Sequence, residues 1–283
     1  MFELRLENIN EAIVDLNDGE RFEVISVSGL NPPSASLFTS KSPNRKGLKH
    51  NGSTLNERVV VIQIKLLGNV EESRNALYMW AEPEQYAKIY YQNGVKSVYC
   101  EGYVEACDVD MFSDNEVMNV EILCGDPYFK DMQEIIVEIS NNIKQFTFAF
   151  AIDSAGIPFS TLKENNITSV VNAGAETGAQ FIIRCTEPIT SLVIFDADDT
   201  TRQFKINRSF DTSWQIVIDT EGSPKTCKAI GPDGMIVNIL RYVSGSPTWF
   251  NIKKGNNRFG YLANNGAAAV EMTIRFTNKY MGV

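Results

Sequence analysis

The sequence predicts a mainly β protein, a β-sandwich bearing one helix followed by a second β-sandwich. Three observations predict it. Apolar and polar residues alternate with a period of two in run after run, as in Val270, Met272, Ile274 and Phe276 against Glu271, Thr273 and Arg275. One segment, around residues 69–82, changes to a helical period. Near the middle of the 283 residues the alternation stops at Gly125-Asp126-Pro127 and restarts after Asp131, which divides the chain into 1–131 and 132–283. Pieces of that size each bury a core, and two domains are the natural prior for this length.

In the first half, Ala12–Leu16 and Arg21–Val27 flank Asn17-Asp18-Gly19-Glu20, and Asp-Gly tolerates the positive φ of a tight turn, so a hairpin is expected there. Val60, Ile62, Ile64 and Leu66 alternate with Val61, Gln63, Lys65 and Leu67, which predicts a strand with one wetter face. Asn69-Val70-Glu71-Glu72 has the form of a capping box. Val70, Leu77, Trp80 and Ala81 then fall near one helical face, and Pro83 ends the helix because the residue before proline disfavours helical angles. Strands resume at Ala87–Tyr91, Ser97–Ala106 and Glu116–Cys124. The order strands, helix, strands fits a helix-decorated sandwich or an α+β layout.

From Gly29 to Leu55 there is no clear periodicity, and Pro32-Pro33, Pro43-Asn44 and Asn51-Gly52 punctuate the stretch. Loops of this length are uncommon in compact domains and tend to be functional or disordered. This one carries Lys41, Arg45, Lys46 and Lys49 inside an acidic half. It is expected to be a solvated loop or a basic arm that reaches a neighbouring acidic surface. The second half reads as nearly all β. Phe146, Phe148, Phe150 and Ile152 alternate with Thr147 and Ala149; further strands are expected around Phe181–Cys185, Leu192–Phe195, Phe204–Ile206, Ile216–Ile218, Met235–Leu240, Phe250–Ile252, Arg258–Leu262 and Ala268–Thr277.

Charge separates the halves. The net charge is −9. Residues 1–131 hold 12 Lys/Arg against 21 Asp/Glu, and residues 132–283 hold 14 of each. An acidic first half argues against nucleic acid or an anionic membrane as a partner, since both demand positive charge. No stretch approaches the ~18 apolar residues of a membrane span, and the first residues carry no uninterrupted apolar segment, so no secretory signal is expected. Five cysteines without a Cys-x-x-Cys spacing predict buried free thiols rather than a disulfide framework or zinc ribbon.

The chemistry of catalysis is sparse. A single histidine, His50, argues against a multi-His metal site and against a Ser-His-Asp or Cys-His arrangement. Asp196-Ala-Asp198-Asp199 lacks the glycine and distal Glu of an EF-hand loop and reads as a turn; Asp108, Asp110, Asp114 and Glu116 are similar. The chain is therefore expected to have no catalytic residues, no metal and no cofactor. Trp249-Phe250 and Tyr90-Tyr91 are the densest aromatic pairs, but alternation turns neighbours to opposite faces. The candidate residues for a glycan groove are Trp249 and Tyr261.

Several stretches taken in order resemble the distal tail protein family of tailed bacteriophages and prophages. They include DGERFEV at 18–24, GLNPPSA at 29–35, NVEESRNALYMW at 69–80, CGDPYF at 124–129, VVNAGAETGAQFIIRC at 170–185 and FNIKKGNNRFGYLA at 250–263. The resemblance covers nearly the whole chain. It implies a ring-forming N-terminal sandwich over 1–131 and a C-terminal sandwich of galectin-like or carbohydrate-module shape over 132–283. It also implies a hexameric, non-enzymatic hub at the distal end of the tail tube, in a virion tail synthesised and assembled in the bacterial host cytoplasm. The implied partners are copies of itself, the tail tube protein and other baseplate, tail-fibre or receptor-binding proteins. Lys41, Arg45, Lys46 and Lys49 are then candidates for an inter-subunit arm. Pro127, Tyr128 and Phe129 are expected at the domain junction, where the two rings would plug the seam. The alternative is a two-domain carbohydrate-binding protein working through its second sandwich.

Overall fold

The structure is a computed structural model; it describes residues 2–43, 46–113, 115–139, 142–144, 160–162, 166–266 and 269–283. It separates into two compact units, Met1–Met132 with Lys279–Val283, and Gln133–Asn278. The alternation pattern assigns all of 132–283 to the second domain. Lys279–Val283 instead belong to the first unit, and the reason is polar as well as apolar. Lys96 Nζ donates to Gly282 O at 2.8 Å, Tyr280 Oη donates to Asp131 Oδ2 at 3.2 Å, and Tyr280 and Val283 pack on the first unit's core.

The first unit contains β1 (Glu3–Asn8), β2 (Ile13–Asp15), β3 (Phe22–Ser28), β4 (Ala35–Ser40), β5 (Lys49–Leu55), β6 (Arg58–Leu66), α1 (Val70–Trp80), β7 (Tyr86–Gln92), β8 (Ser97–Val109), β9 (Val117–Cys124) and the start of β10 (Phe129–Ile139). Two runs of antiparallel strands, β2-β1-β7-β8 and β3-β6-β9-β8, meet in β8. That strand is long enough to serve both: Ser97–Tyr103 pairs with β7, and Tyr103–Val109 pairs with β9 across a bulge between Val104 and Ala106. Gly102 makes the corner possible. A Cβ there would sit 2.4 Å from Leu123 O and 2.9 Å from Cys124 Sγ, so only glycine admits this approach. Inward residues at alternate positions, among them Leu4, Leu6, Val60, Ile62, Ile64, Ile89, Met118, Val120 and Ile122, form one core.

Helix α1 is where the sequence places it. The Asn69 side chain accepts from Glu72 N at 3.5 Å, capping the first turn, and Leu77 is buried. The hairpin expected across Asp18-Gly19 is absent: β2 pairs with β1, and β3 pairs with β6. Asp18 supplies the reason. Its Oδ1 accepts from the amides of Glu20, Arg21 and Phe22 at 3.0, 2.8 and 2.9 Å, and Oδ2 accepts from Arg21 Nε at 3.2 Å. The carboxylate so organises a corner that redirects the chain rather than folding it back. Partial burial pushes the Asp18 carboxyl up, but these bonds outweigh it and hold it below its ordinary value. Asp18→Ala is expected to cost about 1–2 kcal/mol at pH 7. A depressed folded pKa stabilises only above the unfolded value of about 3.9, so the gap between parent and variant closes as pH falls through the folded pKa. Denaturant midpoints at pH 7 and pH 3 check it.

The second unit holds the rest of β10, then β11 (Asn142–Lys144), β12 (Ser160–Leu162), β13 (Ile167–Asn172), β14 (Gln180–Cys185), β15 (Leu192–Asp196), β16 (Gln203–Ile206), β17 (Gln215–Asp219), β18 (Thr226–Ile230), β19 (Ile236–Asn238), a 3-10 turn Leu240–Tyr242, β20 (Gly255–Ala263) and β21 (Val270–Tyr280), which ends in the first unit. One sheet runs β19-β18-β17-β14-β21, with β10 at its edge; the other runs β13-β20-β15-β16. Residues from both sheets share one core, including Phe181, Phe250 and Phe259, whose ring centroids lie 5.4–6.0 Å apart. Phe250–Ile252 is no strand; its backbone makes one isolated bridge, from Ile252 to Thr177, while Phe250 and Ile252 are buried in the core. The alternating run Phe146–Ile152 and Ala268 lie outside the described residues.

Candidate functional site

The stretch read as structureless between Gly29 and Leu55 contains a β-hairpin. β4 pairs with β5, from Ala35↔Leu55 to Ser40↔Lys49, with a bulge after Phe38, and the two strands form a sheet of their own. Polar contacts close its base: Asn56 N donates to Ser34 O at 3.0 Å, Asn56 Nδ2 to Ser34 Oγ at 2.9 Å, and Ser36 Oγ to Asn56 Oδ1 at 2.7 Å. Every residue of β4 is exposed, and so is all of β5 but Gly52. Leu37 and Phe38 are 63% and 54% exposed, and Leu48 lies bare in the connection between the strands. Lys41, Lys46 and Lys49 are exposed and make no ion pair among the described residues; Arg45 lies outside them. His50 is exposed on β5.

The hairpin springs from a rigid root built on Arg58, the first residue of β6, which is 2% exposed. Its Nε donates to Pro127 O at 2.8 Å; Nη1 donates to Asn31 O at 2.8 Å and to Gly29 O; Nη2 donates to Met281 O at 2.6 Å. The guanidinium lies 4.3 Å over the Phe129 ring. No carboxylate pairs with it among the described residues, so four backbone carbonyls and a π-face solvate the charge. Burial pushes its pKa below the ordinary arginine value. Gly29 turns the chain into the root at φ +85°, where a Cβ would lie 2.1 Å from Val59 O.

The junction residues take different parts from those expected. Pro127 offers its carbonyl to Arg58, and Tyr128 is half-buried. Phe129 is fully buried in the first unit's core and already lies in β10, so it is a core residue and not a seam plug. Sequence reasoning missed Arg58 altogether. Its signal is faint: a lone cation opening an apolar alternation, Arg58-Val-Val-Val-Ile, directly after Glu57.

In the second unit, Tyr261 is 0% exposed and donates from Oη to Val270 O at 3.0 Å. A core tyrosine with its hydroxyl spent on a carbonyl offers nothing to a glycan, which corrects that expectation. Trp249 is half-buried and packs edge-on against Phe204 at 5.0 Å. The Asp196–Asp199 cluster is a turn: Asp196 pairs with Arg202 at 2.7 Å, Asp198 with Arg258 at 2.9 Å, and Asp199 accepts from Thr201. Among the described residues no group of three or more His, Cys, Asp or Glu could hold a metal ion. All five cysteines are free thiols, and Cys100, Cys124, Cys185 and Cys227 are buried.

Two mainly β units and an exposed hairpin are features that comparison with known proteins can place. Residues 172–280 match the family described as siphovirus-type tail component, C-terminal domain, which bears out the family resemblance read from the sequence. Over 98% of its length the chain shares the fold of the Dit protein (gp 19.1) of phage SPP1, covering 99% of that chain at 13% identity with a TM-score of 0.70. That protein is described as a paradigm of the hub adsorption apparatus in phages infecting Gram-positive hosts. A chain of the phage P2 baseplate, in its activated conformation with Ca, matches with a TM-score of 0.51 at 11% identity, with 100% of both chains covered. The same baseplate with Sr gives a TM-score of 0.51 at 11% identity and 98% coverage of both. No curated protein matches the chain.

Proposed function

We propose that this chain is a structural hub of a phage tail. Copies of its first unit join side by side into a closed ring, a hexamer by family resemblance, at the distal end of the tail tube. The second unit carries other baseplate, tail-fibre or receptor-binding proteins. In this reading the protein performs no catalysis, belongs to the virion tail, and is made and assembled in the host cytoplasm. No described helix is long and apolar enough to cross a membrane.

One observation carries the reading: the hairpin β4–β5 buries almost nothing in its own subunit. An isolated two-stranded hairpin is marginal in water, and its unpaired edges and bare Leu37 and Phe38 invite association. A ring needs such a feature, because cyclic contacts join two unlike surfaces of each copy. Its lysines give the arm a charge opposite to that of the first half. The glycan-binding alternative is left with Trp249 alone.

Deleting residues 35–55 and joining Ser34 to Asn56 through two glycines tests this. Those two residues are already hydrogen-bonded, so the fold tolerates the closure. The variant is expected to keep its thermal transition and to lose all closed rings in native mass spectrometry and negative-stain images, whether purified or produced with its tail. Six-membered rings of the shortened chain would refute the arm.

A further inference from the structure

The first unit also bears a surface whose character is the inverse of the hairpin's. On the outward side of its strands, four residues stand in register: Tyr86 faces Tyr103, Tyr103 faces Leu123, and Leu123 faces Val59, across β7, β8, β9 and β6. Tyr103 is 61% exposed and Leu123 37%, so the subunit's own hairpin does not cover the row. Tyr86 and Tyr103 meet edge to face at 6.1 Å and 80°, which stiffens the row into a platform.

Carboxylates border this platform. Glu105 is the extra residue of the β8 bulge and is exposed. Glu121 precedes Leu123 by two on β9 and shares its face. Glu84, at φ +68°, donates its amide to Val104 O, which sets it at the start of β7 beside the bulge. Glu101 is neutralised by Lys130 at 3.0 Å, but Glu84, Glu105 and Glu121 make no ion pair among the described residues. Neighbouring rings on this side already hold a cation: Lys88 Nζ lies 4.3 Å over Tyr99 and 5.0 Å over Tyr90.

We propose that the Tyr86–Tyr103–Leu123–Val59 row receives the hairpin of a second copy of this chain. Phe38, which alternation turns to the face opposite Leu37, lies on the apolar row, and Lys41, Lys46 and Lys49 face Glu84, Glu105 and Glu121. The inference rests on the reading of the hairpin as an inter-subunit arm, and it names the arm's seat. The apolar centre supplies adhesion while the flanking charges set register and speed encounter. Each copy carries one arm and one seat, so each copy gives and receives once.

Disulfide trapping between two single variants of the full chain tests it. Phe38→Cys and Tyr103→Cys chains are mixed under mild oxidation, in purified rings and in assembled tails, with Phe112→Cys as a control at a bare turn that is 94% exposed. A covalent dimer is expected only when the Phe38→Cys chain meets the Tyr103→Cys chain. Glu105→Lys with Glu121→Lys is expected to cut its yield at least tenfold, and Lys41→Glu, Lys46→Glu and Lys49→Glu in the partner to restore it. If rings form and the Phe38→Cys chain bonds to the control chain instead, the seat is wrong while the arm stands. If rings form without residues 35–55, or no oligomer forms in either preparation, arm and seat fall together.

Discussion

Arg58→Met is expected to destabilise the first unit by about 3–5 kcal/mol, because four backbone carbonyls lose a charged donor at once and a hydrogen bond to a charged group is worth about 1.5–3 kcal/mol. Methionine keeps the length and apolar packing of the stem, so the loss reports the guanidinium and not a cavity. On a unit of this size the change corresponds to roughly 10–20 °C in the midpoint. Arg58→Lys is expected to recover only part of it, since an ammonium lacks the planar fork that reaches Pro127 O, Asn31 O and Met281 O together. Hydrogen exchange separates the units: amides of β6 and the root amides of Asn56 and Val283, which donate to Ser34 O and Leu30 O, lose protection, while β14 and β17 keep theirs. Unchanged protection at the root would show that the bonds to Arg58 hold nothing in place.

Phe129→Ala is expected to cost about 3–5 kcal/mol, the range for deleting a fully buried aromatic ring. A residue at a solvated seam would cost no more than about 0.5 kcal/mol. The measurement therefore decides between the sequence-based placement of Phe129 at a junction and its position in the core. Its ring also supports the Arg58 guanidinium, so the two substitutions are expected not to add: the double variant loses less than the sum, by about 0.5–2 kcal/mol. Denaturant titration of the four proteins closes that cycle.

Much of the fold is legible in the sequence because most strands have one dry side. Val60–Leu66, Val117–Cys124 and Val270–Phe276 show period-two alternation since a core lies under one face only. Helix α1 is legible from its cap and the proline after it. The hairpin β4–β5 is illegible for the same reason inverted: with neither face buried in its own subunit, Ser-Leu-Phe-Thr and His-Asn-Gly-Ser-Thr carry no alternation to read. Its basic character is legible; the row proposed as its seat is not, because Tyr86, Tyr103, Leu123 and Val59 come from four strands that only register brings together. Asp18 misleads since Asp-Gly is a strong hairpin signal, and only the pairing of β3 with distant β6 overrules it. Tyr261 misleads because alternation does not say which tyrosines keep their hydroxyls inside. Arg58 shows the limit most sharply. Its partners lie 27, 29, 69 and 223 residues away, and all are main-chain atoms that any sequence would supply.

The bond from Arg58 to Met281 spans 223 residues of chain, and that distance is also a delay. At about 5–20 residues per second, a ribosome needs roughly 10–45 s to travel from one partner to the other. Throughout that interval the newborn leading unit lacks its last carbonyl and the Lys279–Val283 segment, so the base of the arm is the final part of it to set. The trailing unit must be translated in full before the leading one is finished. A nascent chain whose Arg58 still waits for the Met281 carbonyl thus carries a β4–β5 hairpin whose base is not yet fixed.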